Sequence, residues 1–145
     1  MITLKPVTRE NIEDLLALDV RDDQKGFVSS VAESLAQAYV YHETAHPFAV
    51  YEGDTLVGFI MMGYYEVKQY YTLWKFLIDQ RYQNKGYGRQ ALELGIEFVR
   101  ESFDAKEIFT GVAPGNDVAK RLYESVGFQS TGLIELGMEE MRIRI

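Results

Sequence analysis

Between a strand-like stretch, Tyr71–Ile78, and an amphipathic helical stretch from about Arg89 to Ser102 lies a polar loop with two glycines, Asp79-Gln80-Arg81-Tyr82-Gln83-Asn84-Lys85-Gly86-Tyr87-Gly88. No other part of the chain restricts the fold as tightly. A strand that feeds a helix through such a loop implies a sheet with that helix laid on one face. Tyr71–Ile78 is rich in aromatic and branched residues, which suits a strand. In the stretch after the loop, Leu92, Ile96 and Val99 recur at helical spacing and are expected to face inward. Glycines let a backbone come close to a ligand, and the helix after them presents free N–H groups to an anion. Lys85 and Arg89 add positive charge. One helix N-terminus contributes only about 0.3–1 kcal/mol toward an anion. A tightly held diphosphate therefore needs several N–H groups at once, which a wrapped loop supplies. An ordinary glycine turn before a helix is the competing reading of the same residues.

The rest of the chain supplies the other elements. Ile2–Val7 alternates apolar and polar residues and reads as a strand ending near Pro6. Thr8 is placed to cap the next helix, Asn11–Leu18, with Ile12, Leu15, Leu16 and Leu18 on one side. A second helix is read from Ser29 or Ser30 to Tyr41, with Val31, Leu35, Ala38 and Tyr39 at helical spacing. Phe48–Tyr51 and Thr55–Tyr64 read as strands joined by the turn Glu52-Gly53-Asp54. Ile108–Val112 is a further strand. Asn116 or Asp117 caps a helix carrying Val118, Leu122 and Tyr123, and Gly127 stops it. From Phe128 onward two short strands flank Gly137. No repeat, low-complexity tract or Pro/Gly/Ser linker interrupts this order, and 145 residues suit one domain, 1–145, of α/β class.

Composition narrows the functional classes. Hydrophobic residues make up 47% of the chain, too many for disorder. No apolar run is long enough to span a membrane, and the opening MITLKPVTRENIEDL has no basic-then-apolar leader, so neither a membrane partner nor a secretory signal is expected. There is no cysteine, which rules out disulfides, thiolate zinc sites and a cysteinyl intermediate, and suits the cytoplasm. The formal net charge of −7 argues against nucleic acid as a partner. It favours a cationic one, although surface acidity mostly serves solubility.

Two short motifs mislead. Gly86, Gly88 and Ala91 spell G-x-G-x-x-A, a dinucleotide fingerprint. In that fold the strand runs almost directly into the first glycine, whereas here the polar stretch Asp79–Lys85 intervenes, and too little chain follows for a second mononucleotide half. His42-Glu43-Thr44-Ala45-His46 spells H-E-x-x-H, with Glu66 as a conceivable third ligand. Zinc would need both histidines on one continuing helix, and Pro47 disfavours helix at His46. No metal is expected; the histidines read as exposed residues at a polar helix end.

A second segment gives the glycine loop its context. Asn116-Asp117-Val118-Ala119-Lys120-Arg121-Leu122-Tyr123-Glu124-Ser125-Val126-Gly127-Phe128 resembles the N-x-x-A-x-x-L-Y-x-x-x-G-F segment of the GCN5-related N-acetyltransferases. Gln83-Asn84-Lys85-Gly86-Tyr87-Gly88 resembles that family's Q/R-x-x-G-x-G/A pyrophosphate loop. The two occur in the family's order, and the resemblance spans most of the chain. Asp23-Gln24-Lys25-Gly26-Phe27-Val28, Glu33-Ser34-Leu35-Ala36-Gln37-Ala38, Val57-Gly58-Phe59-Ile60-Met61 and Leu73-Trp74-Lys75-Phe76-Leu77-Ile78-Asp79 are similar to the bacterial spermine/spermidine (diamine) acetyltransferase group.

The resemblance implies the acyl-CoA N-acyltransferase fold, a mixed, mostly antiparallel sheet flanked by helices. It implies acetyl-CoA (coenzyme A) as cofactor and a small cationic amine, a polyamine, as acceptor. Transfer would be direct, in a ternary complex, and a homodimer is allowed. The cofactor contacts it implies are Gln83, Asn84, Lys85, Gly86, Tyr87, Gly88 and Arg89 in the loop and Asn116 at the later helix. Leu77, Ile78 and Asp79 are implied at the strand end, with a backbone N–H at Leu77 or nearby holding the carbonyl oxygen. Tyr123 matches the family's general acid; core packing is the competing reading. An alkylammonium has a pKa of about 10.4, so presenting a neutral amine at pH 7 costs ~4.6 kcal/mol. The base is left open among Glu66, Asp79, Glu140 and a water chain. Asp22, Asp23 and Glu33 could meet a polycation or form a solvated face. Tyr64, Tyr65, Tyr70 and Tyr71 could line an amine channel or simply pack. Another acceptor amine, or a non-catalytic acyl-CoA-binding module, remains an alternative.

Overall fold

The computed structural model describes Met1–Ile145 throughout. Seven strands and four α-helices follow the order β1 (Ile2–Pro6), α1 (Ile12–Leu16), α2 (Val31–Val40), β2 (Ala45–Glu52), β3 (Thr55–Tyr65), β4 (Tyr70–Ile78), α3 (Tyr87–Phe103), β5 (Glu107–Val112), α4 (Asp117–Val126), β6 (Gln129–Glu135) and β7 (Met138–Arg144). They build one sheet in the order β1-β2-β3-β4-β5-β7-β6. Every neighbouring pair is antiparallel except β4 and β5. The mixed, mostly antiparallel sheet expected from the sequence is thus the sheet observed.

Each face of the sheet has its own core. On one face Ile60, Met62 and Leu73 pack with Leu92, Ile96 and Val99 of α3 and Tyr123 and Phe128 around α4. On the other, Ala49, Phe59, Met61 and Leu77 pack with Leu15, Leu18, Val31 and Ala38 from the first two helices and their loops. The alternation along β3 (Phe59 and Met61 to one side, Ile60 and Met62 to the other) is the strand period at work. β3 and β4 run so close that a Cβ on Gly58 would lie 2.5 Å from the Leu77 carbonyl oxygen, so only glycine fits there.

Several local expectations are corrected. The Thr8 side chain caps nothing: the Thr8 carbonyl accepts from the Asn11 and Ile12 amides, while the Asn11 side chain accepts from the Thr8 N–H at 2.8 Å and donates to the Pro6 carbonyl. α1 is only Ile12–Leu16, and Leu16 is exposed because so short a helix offers the core little more than Leu15. Tyr39 is exposed on α2. β2 begins at Ala45, so His42 lies in the turn after α2 and His46 on a strand, and the helical spacing that zinc requires does not exist. His46 is half-buried against Phe98 and Phe103, not exposed, and burial lowers its pKa. α3 starts at Tyr87, two residues before the expected Arg89, which brings Tyr87 and Gly88 into its first turn.

Candidate active site

The site begins as a failure of pairing. β4 and β5, the one parallel pair, match only at Thr72↔Phe109 and then part. The Thr110 hydroxyl, buried beside the fork, donates to the Leu73 carbonyl at 3.0 Å and pins the two strands where they diverge. Beyond it, a cavity of about 440 Å³ is lined by β4 and β5, by the loop after β4, by the first turn of α3 and by the first two turns of α4.

The register of β3 on β4 decides which β4 amides open onto this gap. The Asp79 N–H donates to the Val57 carbonyl, so Asp79 faces β3. Backbone groups alternate along a strand, so Leu77, opposite Phe59, also faces β3, whereas Phe76 and Ile78 face the gap. Of the donors expected at Leu77 or nearby, Leu77 itself is turned to β3, and its neighbours Ile78 and Phe76 face the gap. The Ile78 carbonyl is already taken by the Gln83 side chain at 2.8 Å.

The loop after β4 is built to leave its amides free. Asp79 is buried and accepts from the Arg81 N–H (2.9 Å), the Arg81 Nε (2.8 Å) and the Asp19 N–H (3.1 Å). Burial alone would raise its pKa, but these bonds overcome it and hold the carboxyl below the usual range. Asp79 anchors the loop from beneath and does not line the cavity. Gln83 and Gln24 exchange side-chain hydrogen bonds at 2.9 and 3.2 Å, clasping the loop to the segment before α2. Between these anchors the chain turns through left-handed conformations at Asn84 (φ 63°) and Gly86 (φ 82°). The glycine adopts this at no steric cost, and it starts α3. None of the backbone N–H groups from Gln83 to Arg89 donates to a protein acceptor. A run of unpaired amides at a helix N-terminus is an anion cradle.

Tyr123 joins the lining from α4. Asn116 caps that helix by accepting from the Ala119 N–H at 3.4 Å, and Gly127 ends it. The Tyr123 ring packs near Phe128, so the core reading holds for the ring. The hydroxyl is different. It bonds to no protein group, and its residue lines the cavity. A buried phenol ordinarily keeps a partner, and this one is left free for a reactant. Burial pushes its pKa up to about 12, so the phenol stays protonated across the working range.

Leu77, Ile78, Gln83, Asn84, Gly86, Tyr87, Gly88, Arg89, Asn116 and Tyr123 all line this one cavity, while Asp79 and Lys85 do not. The sequence pattern of the acetyltransferase (GNAT) family matches residues 12–128, which takes in the loop, the fork and Tyr123 together. The chain belongs to that family.

A spermine/spermidine N(1)-acetyltransferase of Bacillus subtilis (strain 168) is 34% identical, over 99% of this chain and 97% of the relative. A probable spermine N(1)-acetyltransferase of Bacillus subtilis subsp. natto (strain BEST195) is 33% identical over the same shares. The GNAT fold recurs in the crystal structure of spermidine N-acetyltransferase from Vibrio cholerae in complex with CoA and spermine, with a TM-score of 0.79, 19% identity and 99% and 95% of the two chains covered. It recurs again in the PaiA N-acetyltransferase from Thermoplasma acidophilum in complex with coenzyme A, with a TM-score of 0.77, 18% identity and 100% and 99% covered.

Against this GNAT frame the remaining sequence candidates sort cleanly. Glu66 is exposed in the turn between β3 and β4. Glu140 accepts from the Thr131 hydroxyl at 2.9 Å and lies 3.6 Å from Lys68. Neither lines the cavity, and no carboxylate or histidine does. Tyr64 and Tyr71 pack edge to face, and Tyr70 stacks on Phe109 at 4.2 Å, so the tyrosine cluster packs and forms no channel into this cavity. Asp22 pairs with Lys25 at 3.1 Å and Asp23 lies 3.6 Å from Arg21; like Glu33 they are exposed outside the cavity. Sequence reasoning missed one wall altogether, made by Val20, Arg21, Gln24, Phe27, Val28 and Ser29 before α2. Its only signal was the family-like stretch Asp23–Val28.

Proposed function

We propose that this chain is an acetyl-CoA-dependent N-acetyltransferase whose acceptor is a primary amine of the polyamine class. The observation that carries the reading is the unpaired amide run Gln83–Arg89, opening on the same cavity as the free phenol of Tyr123. Family membership supports acetyl transfer, and the names of the Bacillus relatives support the polyamine. The acidic chain, with net charge −7, suits a cation and not a polyanion, and the absence of cysteine suits a reaction set in the cytoplasm.

The loop fits a diphosphate because its donors are free and preorganised. Gly86 and Gly88 keep its surface low, Asn84 to Arg89 would hold the phosphates, and Asn116 would line the same cavity from the start of α4. When bound, acetyl-CoA supplies an activated acetyl thioester. Ile78 and Phe76 then offer gap-facing amides to the carbonyl oxygen, where charge develops. Tyr123 donates the proton that the departing sulfur needs. An ordinary thiol has a pKa of about 8.5, so a phenol held well above that gives up its proton only if another is returned. The acceptor nitrogen must shed a proton as it becomes an amide, and that proton balances the exchange.

The test is release of CoA thiol with a panel of amines at fixed acetyl-CoA. Spermidine and spermine should give turnover at least about tenfold above amino acids and peptide N-termini, a 1.4 kcal/mol preference. No release with any polyamine or diamine would end the polyamine reading. No release with any amine, alongside tight CoA binding, would favour a binding module.

A further inference from the structure

We infer that Lys75 selects the neutral form of the acceptor amine, and that the enzyme uses this charge where other sites use a general base. The inference rests on the acetyl-transfer reading above. Its first support is the cavity's composition. Its charged or titratable lining groups are Arg21, Lys75, Tyr82, Tyr87, Arg89 and Tyr123, with no Asp, Glu or His among them. No side chain at the reacting centre can therefore take a proton from an incoming ammonium at neutral pH, and the Tyr123 phenol, held near 12, is already protonated.

The second support is the placement of Lys75. The register of β3 and β4 slips at Met61/Met62, where Met61 opposes Lys75 and Met62 opposes Leu73. Trp74 is the extra residue of this bulge. Bulges re-aim side chains, and here Trp74 joins the core beneath α1 and α2 while Lys75 reaches the Ser29 hydroxyl at 2.7 Å. Of the three cations lining the cavity, Arg21 lies 3.6 Å from Asp23 and Arg89 lies 3.1 Å from Glu93, whereas Lys75 has no carboxylate within ion-pair distance. Its charge is left to act on whatever enters. The elements packed around it add no opposing charge inside the cavity. Opposite it β3 presents Met61, β5 presents Thr110, α2 presents Ser34, and α1 contributes nothing to the lining; Glu33, on the first turn of α2, is exposed outside.

A fixed positive charge beside an amine disfavours the ammonium and lowers its pKa. The amine then sheds its proton to water on entry and is ready to attack. No carboxylate is present in the cavity to hold it charged.

The experiment is the pH dependence of single-turnover acetyl transfer at saturating spermidine, from pH 6 to 10, in the wild type, Lys75→Met and Lys75→Arg. Under these conditions the acid limb reports the bound amine. Removing the charge should move that limb up by about one pH unit, so that Lys75→Met is about tenfold slower at pH 7 and matches the wild type near pH 10. Lys75→Arg should leave the limb in place. Folding is checked by thermal melts, with Lys75→Gln as the second uncharged variant. An unmoved limb in the uncharged variants, whatever their plateau rate, would overturn the role of Lys75. A wild type that transfers acetyl to no amine would sink the acetyltransferase reading instead, so the two failures are distinct.

Discussion

β4 has two neighbours and treats them differently. Along β3 it is paired from Gly58↔Ile78 to Tyr65↔Tyr70, so tightly that glycine is required at 58. Along β5 it is matched only at Thr72↔Phe109. The paired side spends its backbone donors on the fold. The parted side, with the loop that follows, leaves donors unspent at Phe76, Ile78 and Gln83–Arg89. In a folded protein, backbone groups near the core are nearly always satisfied. Ile78 is buried, so its gap-facing amide departs from that rule, while the exposed loop amides are the ordinary free donors of a helix N-terminus; what sets the place apart is that Phe76, Ile78, the loop and Tyr123 all line one cavity.

Three substitutions break or sharpen this contrast. On the parted side, Tyr123→Phe should lower turnover at least about 100-fold, or about 2.7 kcal/mol, as expected for loss of a general acid. CoA affinity by titration calorimetry and the melting temperature should stay unchanged, since the hydroxyl bonds nothing in the fold. Equal turnover would strip Tyr123 of the acid role and leave it a packing residue. On the paired side the pattern should reverse. Gly58→Ala places a methyl 2.5 Å from the Leu77 carbonyl oxygen and 2.8 Å from the Ile78 Cδ1. It should cost about 2 kcal/mol of stability in urea unfolding, as overpacking does. An unfolding midpoint equal to the wild type would show that the two strands can separate there. At the fork itself, Thr110→Val removes the bond to the Leu73 carbonyl, at an expected cost of about 1 kcal/mol. Turnover should fall only modestly, because the hydroxyl is spent on the bond that holds the strands. A loss of activity as large as that of Tyr123→Phe would place Thr110 in the chemistry.

Much of the frame was legible in the residues. β1, β3, β4, β5 and the inward faces of α3 and α4 follow from period-2 and period-3.6 patterns with clear stops, such as Gly127 after α4. The loop and Tyr123 were found because their spacing matched a family pattern. Errors fell where local signals compete. The Asn11 side chain, not Thr8, organises the turn into α1, because its carboxamide can accept and donate at once. His42 to His46 followed strand pairing across the sheet and not the helical pattern of its neighbours, since β2 extends back to Ala45 beside Gly63. Asp79, read as a strand-end contact, is an anchor beneath the loop, and its partner at Asp19 is distant in sequence.

The sequence by itself determined most of the strands and helices, and that a glycine loop precedes one helix and a phenol sits on another. Those properties depend on neighbours a few residues apart. Only the tertiary structure decided that β4 and β5 part, that Leu77 turns its amide inward while Ile78 turns outward, and that a bulge delivers Lys75 to a cavity free of carboxylates. Each of these depends on strand register and on approaches between distant residues, and a one-residue shift in pairing would have reversed them.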